Sequence, residues 1–126
     1  MDRVLLVEDA DSDVRELVSL LRESGIKDIQ VTRAATLAIN ALQDCLTNAG
    51  SRPDLIIVDL ELGVESGWEV VRFWKTHATL NSIPLIVWTG VGGKVDQEMC
   101  KLFKVNSFVP KYHGPASLKE ALQPFL

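Results

Sequence analysis

Three runs in this chain, Val4-Leu5-Leu6-Val7, Leu55-Ile56-Ile57-Val58 and Leu85-Ile86-Val87-Trp88, are apolar at every position and stop at a polar residue. A strand with one wet face alternates apolar and polar side chains. A strand without alternation is buried on both faces, as the central strands of a parallel sheet are. Parallel neighbours cannot be joined by a tight turn and need a crossover, usually a helix. The segments between the runs supply it. Val14, Leu17, Val18 and Leu21 fall at i, i+3, i+4 and i+7, one face of a helix that Gly25 can end. Ala38, Ala41, Leu42 and Cys45 carry a similar spacing, as do Val70, Phe73, Trp74 and His77, and a weaker helix is predicted near 94–104. Pro115 suits a first helical position and opens a last helix that would bury Leu118, Ala121, Leu122 and Phe125.

Two further strands complete the pattern. Ile29 to Thr32 alternates, and a short strand near 105–110 precedes Lys111. Both carry polar residues (Gln30, Thr32, Asn106, Ser107), which marks them as edges. The chain therefore reads as α/β, (βα)5, a doubly wound parallel five-stranded sheet with helices on both faces. Central strands 1, 3 and 4 with edges 2 and 5 give the order 2-1-3-4-5, the flavodoxin-like arrangement, in which ligands bind beyond the carboxyl ends of the strands. A length of 126 residues fits a single domain, 1–126, and no output domain is expected within it.

Charge and composition exclude several functions. Thirteen Lys and Arg against 17 Asp and Glu leave a net charge of −4, the wrong sign for direct nucleic-acid binding. No apolar run approaches the ~20 residues that cross a bilayer, so membrane insertion is not expected. Met1-Asp2-Arg3-Val4 has an acid where a secretory signal carries its cationic region, and a cytoplasmic location is expected. Cys45 and Cys100 stand in no CxxC spacing and read as reduced, largely buried thiols. With two histidines and no Cys/His cluster, zinc is not expected.

The strand ends collect the chemistry. Strand 1 runs into Glu8 and Asp9, strand 3 into Asp59, strand 4 into Thr89 and strand 5 into Lys111. An acid after a strand often only caps the next helix, and Asp11 or Ser12 is expected to do so here. Three carboxylates on one rim, however, repel one another unless a cation compensates. A hard divalent ion suits them, and Mg²⁺ fits a site that offers few carboxylates and leaves places for water and a phosphoryl oxygen. Thr89 can donate to such a phosphoryl group and Lys111 can balance its charge. Asp59, closing a rigid central strand, can attack phosphorus and form an acyl phosphate.

With these segments in this order, the chain resembles a response-regulator receiver domain of two-component signalling, of the stand-alone, CheY-like kind. The resemblance rests on Leu6-Val7-Glu8-Asp9, on Pro53 to Asp59 followed by Gly67, on Ile83 to Thr89, and on Phe108-Val109-Pro110-Lys111. It implies a phosphorylatable switch, not an enzyme, in which Asp59 accepts a phosphoryl group from a histidine kinase or phosphotransfer protein. It also implies Mg²⁺ held by Asp9 and Asp59, with Glu8 acting through water and the backbone carbonyl of Glu61 as a further ligand. Thr89 and Phe108 would form the switch pair. A downstream protein partner would dock on the face of helix 4, strand 5 and helix 5, where Phe103, Val105, Phe108 and Tyr112 could supply contacts and two copies could dimerise.

Several positions depart from the family's pattern. Tyr112 follows Lys111 in place of proline, so the Lys111–Tyr112 peptide is either trans in a reshaped loop or cis at a cost of about 3 kcal/mol. Gly63 stands in place of a proline, and the segment 60–67 is expected to be less constrained. Glu61 brings another acid to the pocket mouth and is expected to alter the lifetime of the phosphoryl group. Gly90, Gly92 and Gly93 suggest an open, mobile connection. These departures motivate an alternative, a receiver-like adaptor that binds partners without phosphotransfer. A remoter alternative is a Mg-dependent phosphohydrolase of the haloacid-dehalogenase type, but Asp59-Leu60-Glu61 lacks that family's second aspartate.

Overall fold

In the computed structural model, which describes residues 2–90 and 93–126, the three apolar runs lie side by side at the centre of one parallel sheet. Its strands are β1 (Arg3–Val7), β2 (Asp28–Thr32), β3 (Leu55–Val58), β4 (Leu85–Thr89) and β5 (Ser107–Pro110). Their spatial order is β2-β1-β3-β4-β5, as the strand compositions predict. The crossovers are α1 (Asp11–Glu23), α2 (Ala35–Thr47), α3 (Trp68–Thr76) and α4 (Lys94–Phe103), and α5 (Pro115–Leu122) follows β5. No helix among the described residues is long and apolar enough to cross a membrane.

Period-two alternation within each central strand feeds two separate cores. Leu5, Val7, Ile56, Val58, Leu85 and Val87 pack with the inner faces of α2 and α3 and with Cys100 of α4. Val4, Leu6, Leu55, Ile57, Ile86 and Trp88 pack on the other face with α1 and α5. Each such side chain contributes about 1.5–3 kcal/mol when buried, so both faces of these strands have to be apolar. Cys100 is buried, Cys45 only half-buried, and both are free thiols.

Register then delivers the strand ends to one rim. Val7 lies opposite Val58, Val58 opposite Val87, and Thr89 opposite Pro110. The next residues, Glu8, Asp59 and Lys111, leave the sheet on the same side.

Three local expectations are changed or decided here. Neither Asp11 nor Ser12 caps α1: the N-cap is Ala10, with no side-chain cap. Asp11 instead pairs with Arg33 at 2.5 Å, while Glu8 Oε1 accepts the backbone N–H groups of Asp9 and Ala10 at 3.1 Å each. The segment after Asp59 is not a loose loop. Glu61–Leu62 pairs antiparallel with Glu65–Ser66, and Gly63 sits at φ +66° in the two-residue connection. Val64 has no positive φ, so this is the hairpin turn with glycine at its first central position, a backbone that proline cannot adopt. The Lys111–Tyr112 peptide is trans, and Lys111–His113 form a single 3₁₀ turn. Gly92, part of the connection expected to be mobile, lies outside the described residues.

Candidate functional site

The backbone around the rim is pinned before any side chain is placed. Asp59 N–H donates to the Val7 carbonyl at 2.9 Å, and Glu8 N–H donates to the Thr32 carbonyl at 3.0 Å. Both carboxylates therefore start from hydrogen-bonded extensions of the sheet. Gly67 holds the outgoing chain against this position. Its N–H donates to the Leu60 carbonyl at 2.9 Å, and a Cβ there would stand 2.0 Å from the Asp59 carbonyl oxygen. That glycine is required by close approach, since its φ of −63° suits any residue.

Glu8, Asp9 and Asp59 come together as expected: one oxygen from each lies within 4.8 Å of the others. Glu8 is wholly buried and Asp59 is 5% exposed, whereas Asp9 faces solvent. Lys111 arrives from the far end of the chain and donates to Glu8 Oε2 at 2.6 Å, Asp13 Oδ2 at 2.7 Å and Asp59 Oδ2 at 2.9 Å. Its Nζ also lies 4.8 Å from the centroid of the Trp88 ring. The second Asp59 oxygen, Oδ1, accepts the Glu61 N–H at 3.1 Å. Around this group opens a cavity of about 420 Å³ that Glu61, Gly63 and Gly90 also line.

The remaining expected residues stand further back. Thr89 is fully buried at the end of β4, and its neighbour Gly90 lines the cavity in its place. Phe108 is half-buried, opposite Val87 in register and packed against the α2–α3 core. Glu61 is exposed at the cavity edge.

Three carboxylates, from Glu8, Asp13 and Asp59, thus hold one ammonium, and Asp9 and Glu61 line the same cavity. Burial pushes the Glu8 carboxyl up to about 7, against the opposing hydrogen bond from Lys111, and the charge of Asp59 adds to the rise. Burial alone would pull Lys111 down, but its hydrogen bonds with Asp13, Glu8 and Asp59 outweigh that and hold it above the ordinary lysine range. The lysine is therefore held in its charged form, and one ammonium among five carboxylates leaves the site with surplus negative charge. An all-oxygen donor set with surplus charge suits a hard divalent cation, and Mg²⁺ fits these residues.

Asp13 is the residue that sequence reading missed. Its signal was faint: Asp13 stands in the first turn of α1, the helix that leaves the rim directly after Glu8 and Asp9. Nothing in the sequence, however, ties it to a lysine 98 positions away.

Comparison with known proteins agrees with this geometry. Residues 4–123 match the family described as response regulator receiver domain. The chemotaxis protein CheV1 of Helicobacter pylori is 28% identical over 123 residues, which cover 98% of this chain but only 37% of CheV1. The Mn(2+)-bound form of response regulator Rcp1 superposes with a TM-score of 0.81 at 30% identity, covering 97% of this chain and 89% of Rcp1. The phosphorylated cyanobacterial phytochrome response regulator RcpA gives 0.78 at 30% identity, covering 98% and 87%.

Proposed function

This chain belongs to the response regulator receiver domain family of two-component signalling, and on that premise we propose that Asp59 is its phosphoacceptor. The observation that carries the proposal is the placement of Asp59, 5% exposed, with Lys111 Nζ at 2.9 Å and the Glu8 and Asp9 carboxylates beside it. In the transfer, an Asp59 oxygen bonds to phosphorus while the donor's P–N bond breaks, and the departing imidazole of a histidine kinase or phosphotransfer protein keeps the electron pair. Asp59 needs no proton removed, because it reacts as the carboxylate. The pinned backbone of β3 and the Glu61 N–H hold it in one orientation, which is the main contribution asked of such a site.

Glu8, Asp9 and Asp59, with the Glu61 backbone carbonyl, would hold Mg²⁺, which when bound supplies positive charge among the carboxylates and phosphoryl oxygens. The crystal structure of Rcp1 with Mn(2+) supports a divalent site in this family. Lys111 meets the new charge directly, and Thr89 answers from behind, with Phe108 as its partner in the switch. Output would leave through the α4–β5–α5 face to a downstream protein or a second copy of the chain. Of the four residues the sequence suggested for that face, Tyr112 is the exposed one. Phe103, Val105 and Phe108 are packed against the core, while Tyr112 at 73%, Leu102 at 79% and Val95 at 72% are exposed.

The test is intact mass after incubation with Mg²⁺ and phosphoramidate. One phosphoryl group should be added to the parent and none to Asp59→Asn. A parent that gains no mass would support the adaptor reading, and steady turnover of a generic phosphate ester would support the hydrolase.

A further inference from the structure

We propose that Asp13 is a latch on Lys111: it holds the ammonium in the resting state and competes with the phosphoryl group for it. The inference rests on the phosphoacceptor reading above and adds to it a residue with no assigned part. A lysine ammonium has three N–H donors. All three are taken, by Glu8 at 2.6 Å, Asp13 at 2.7 Å and Asp59 at 2.9 Å, and the Trp88 ring stands 4.8 Å away as a further neighbour. A phosphoryl group arriving on Asp59 finds no free donor on Lys111. One of the three contacts has to break before the ammonium can turn to it.

The three acceptors are not equal in this exchange. Glu8 and Asp59 belong to the group whose oxygens lie within 4.8 Å of one another, with Asp9 as third member. A cation bound there competes with Lys111 for both. Asp13 is outside that group, on the first turn of α1, and its side chain is 27% exposed against 1% for Glu8 and 5% for Asp59. Water reaches it, and a cation bound by Glu8, Asp9 and Asp59 does not draw it off the lysine. It is the contact that persists after the other two are loosened, and its release sets how readily Lys111 stabilises the phosphorylated state. Asp13 touches no reacting atom. It is a positioning residue that acts through the lysine.

The experiment compares the parent with Asp13→Asn, which keeps the shape and removes the charge. Asp11→Asn is the charge control: it neutralises an acid on the same helical turn that pairs with Arg33 and does not touch Lys111. Two readouts are taken. The first is the rate of phosphorylation by phosphoramidate with Mg²⁺, followed by intact mass. Asp13→Asn should react roughly threefold to tenfold faster, the range expected when a charge-assisted competitor is removed from a partly exposed site. Asp11→Asn should match the parent, and Asp13→Glu, which can still reach the ammonium, should stay within about twofold of it.

The second readout needs neither metal nor phosphoryl donor: the rate at which the Lys111 amine is acylated in the metal-free protein, by peptide mass mapping. Asp13→Asn should raise it and Asp11→Asn should not. Equal phosphorylation rates for parent and Asp13→Asn, a slower Asp13→Asn, or an equal gain in Asp11→Asn would each overturn the latch and leave the phosphoacceptor reading standing. Unchanged acylation of Lys111 in Asp13→Asn overturns it as well. A parent that takes no phosphoryl group removes the reading and the latch together.

Discussion

At the amino-end rim of the sheet, Arg3 pairs with Asp28 at 2.8 Å and donates to the Gly50 carbonyl at 2.7 Å, while Asp54 accepts the backbone N–H groups of Asp2 and Arg3 at 2.9 Å. Arg52 completes that rim by donating to the Thr79 carbonyl and the Ser82 hydroxyl. At the carboxyl-end rim, Lys111 faces Glu8, Asp13 and Asp59. Both rims enclose a cavity lined by acids and bases, about 260 Å³ at the amino end and about 420 Å³ at the carboxyl end. The kinds of residue do not separate them. What differs is satisfaction. Asp54 sits among donors that lower its pKa, chiefly the Asp2 and Arg3 backbone N–H groups, and is content as an anion. Glu8 is buried among other acids and is driven toward the protonated form. A rim whose charges are matched has nothing left to offer a ligand, whereas one with unmatched buried charge has a standing affinity for cations.

The largest predicted contrast comes from removing the cation at each rim. Lys111→Met strands a buried carboxylate pair and should cost about 3–5 kcal/mol in the metal-free protein, read from urea unfolding. Added Mg²⁺ should recover part of that loss. Arg3→Met removes an ion pair whose partners are 32% and 54% exposed, and should cost no more than about 1 kcal/mol, with no response to Mg²⁺. Similar costs at the two rims would erase the distinction.

Next in size is Gly67→Ala. Its Cβ would stand 2.0 Å from the Asp59 carbonyl oxygen, backbone that cannot swing aside, so the segment after β3 has to move. A loss of about 3 kcal/mol is expected, the upper range for an overpacked site, together with slowed phosphorylation. Denaturant midpoint and intact mass check the two parts separately.

A pH series sharpens the comparison without mutation. The Glu8 carboxyl is raised from 4.5 to about 7 in the folded protein. The folded state therefore binds the proton more tightly than the unfolded state does. Its contribution to stability is full below about 4.5 and is lost as the pH rises toward about 7. The loss is at most about 3 kcal/mol, and Glu8→Gln should flatten it. Mg²⁺ competes with the same proton, so its affinity should rise across this window, as titration calorimetry at several pH values would show. The smallest effect expected is at Glu61, exposed at the cavity edge, where Glu61→Gln should change the acyl-phosphate lifetime by about twofold through solvent-screened charge alone. Equal lifetimes would remove Glu61 from the chemistry.

Sequence alone determined the frame of this protein. A continuous apolar run can only be buried on both faces, so Val4 to Val7, Leu55 to Val58 and Leu85 to Trp88 had to be central parallel strands, and whatever followed them had to meet at one rim. That logic reached Glu8, Asp9, Asp59 and Lys111, because each lies directly beyond a strand. Tertiary structure decided what depends on direction and distance through space. The grip of Asp13 on Lys111 spans 98 positions, the Glu8 carboxyl takes the Asp9 and Ala10 N–H groups while Asp11 turns to Arg33 instead of capping α1, and Gly63 turns the segment after Asp59 into a hairpin. Strand order is written in hydrophobicity, which the chain carries residue by residue. Which of several nearby acids holds one lysine is a competition among rotamers and burial, and it has no address in the chain until the sheet has closed.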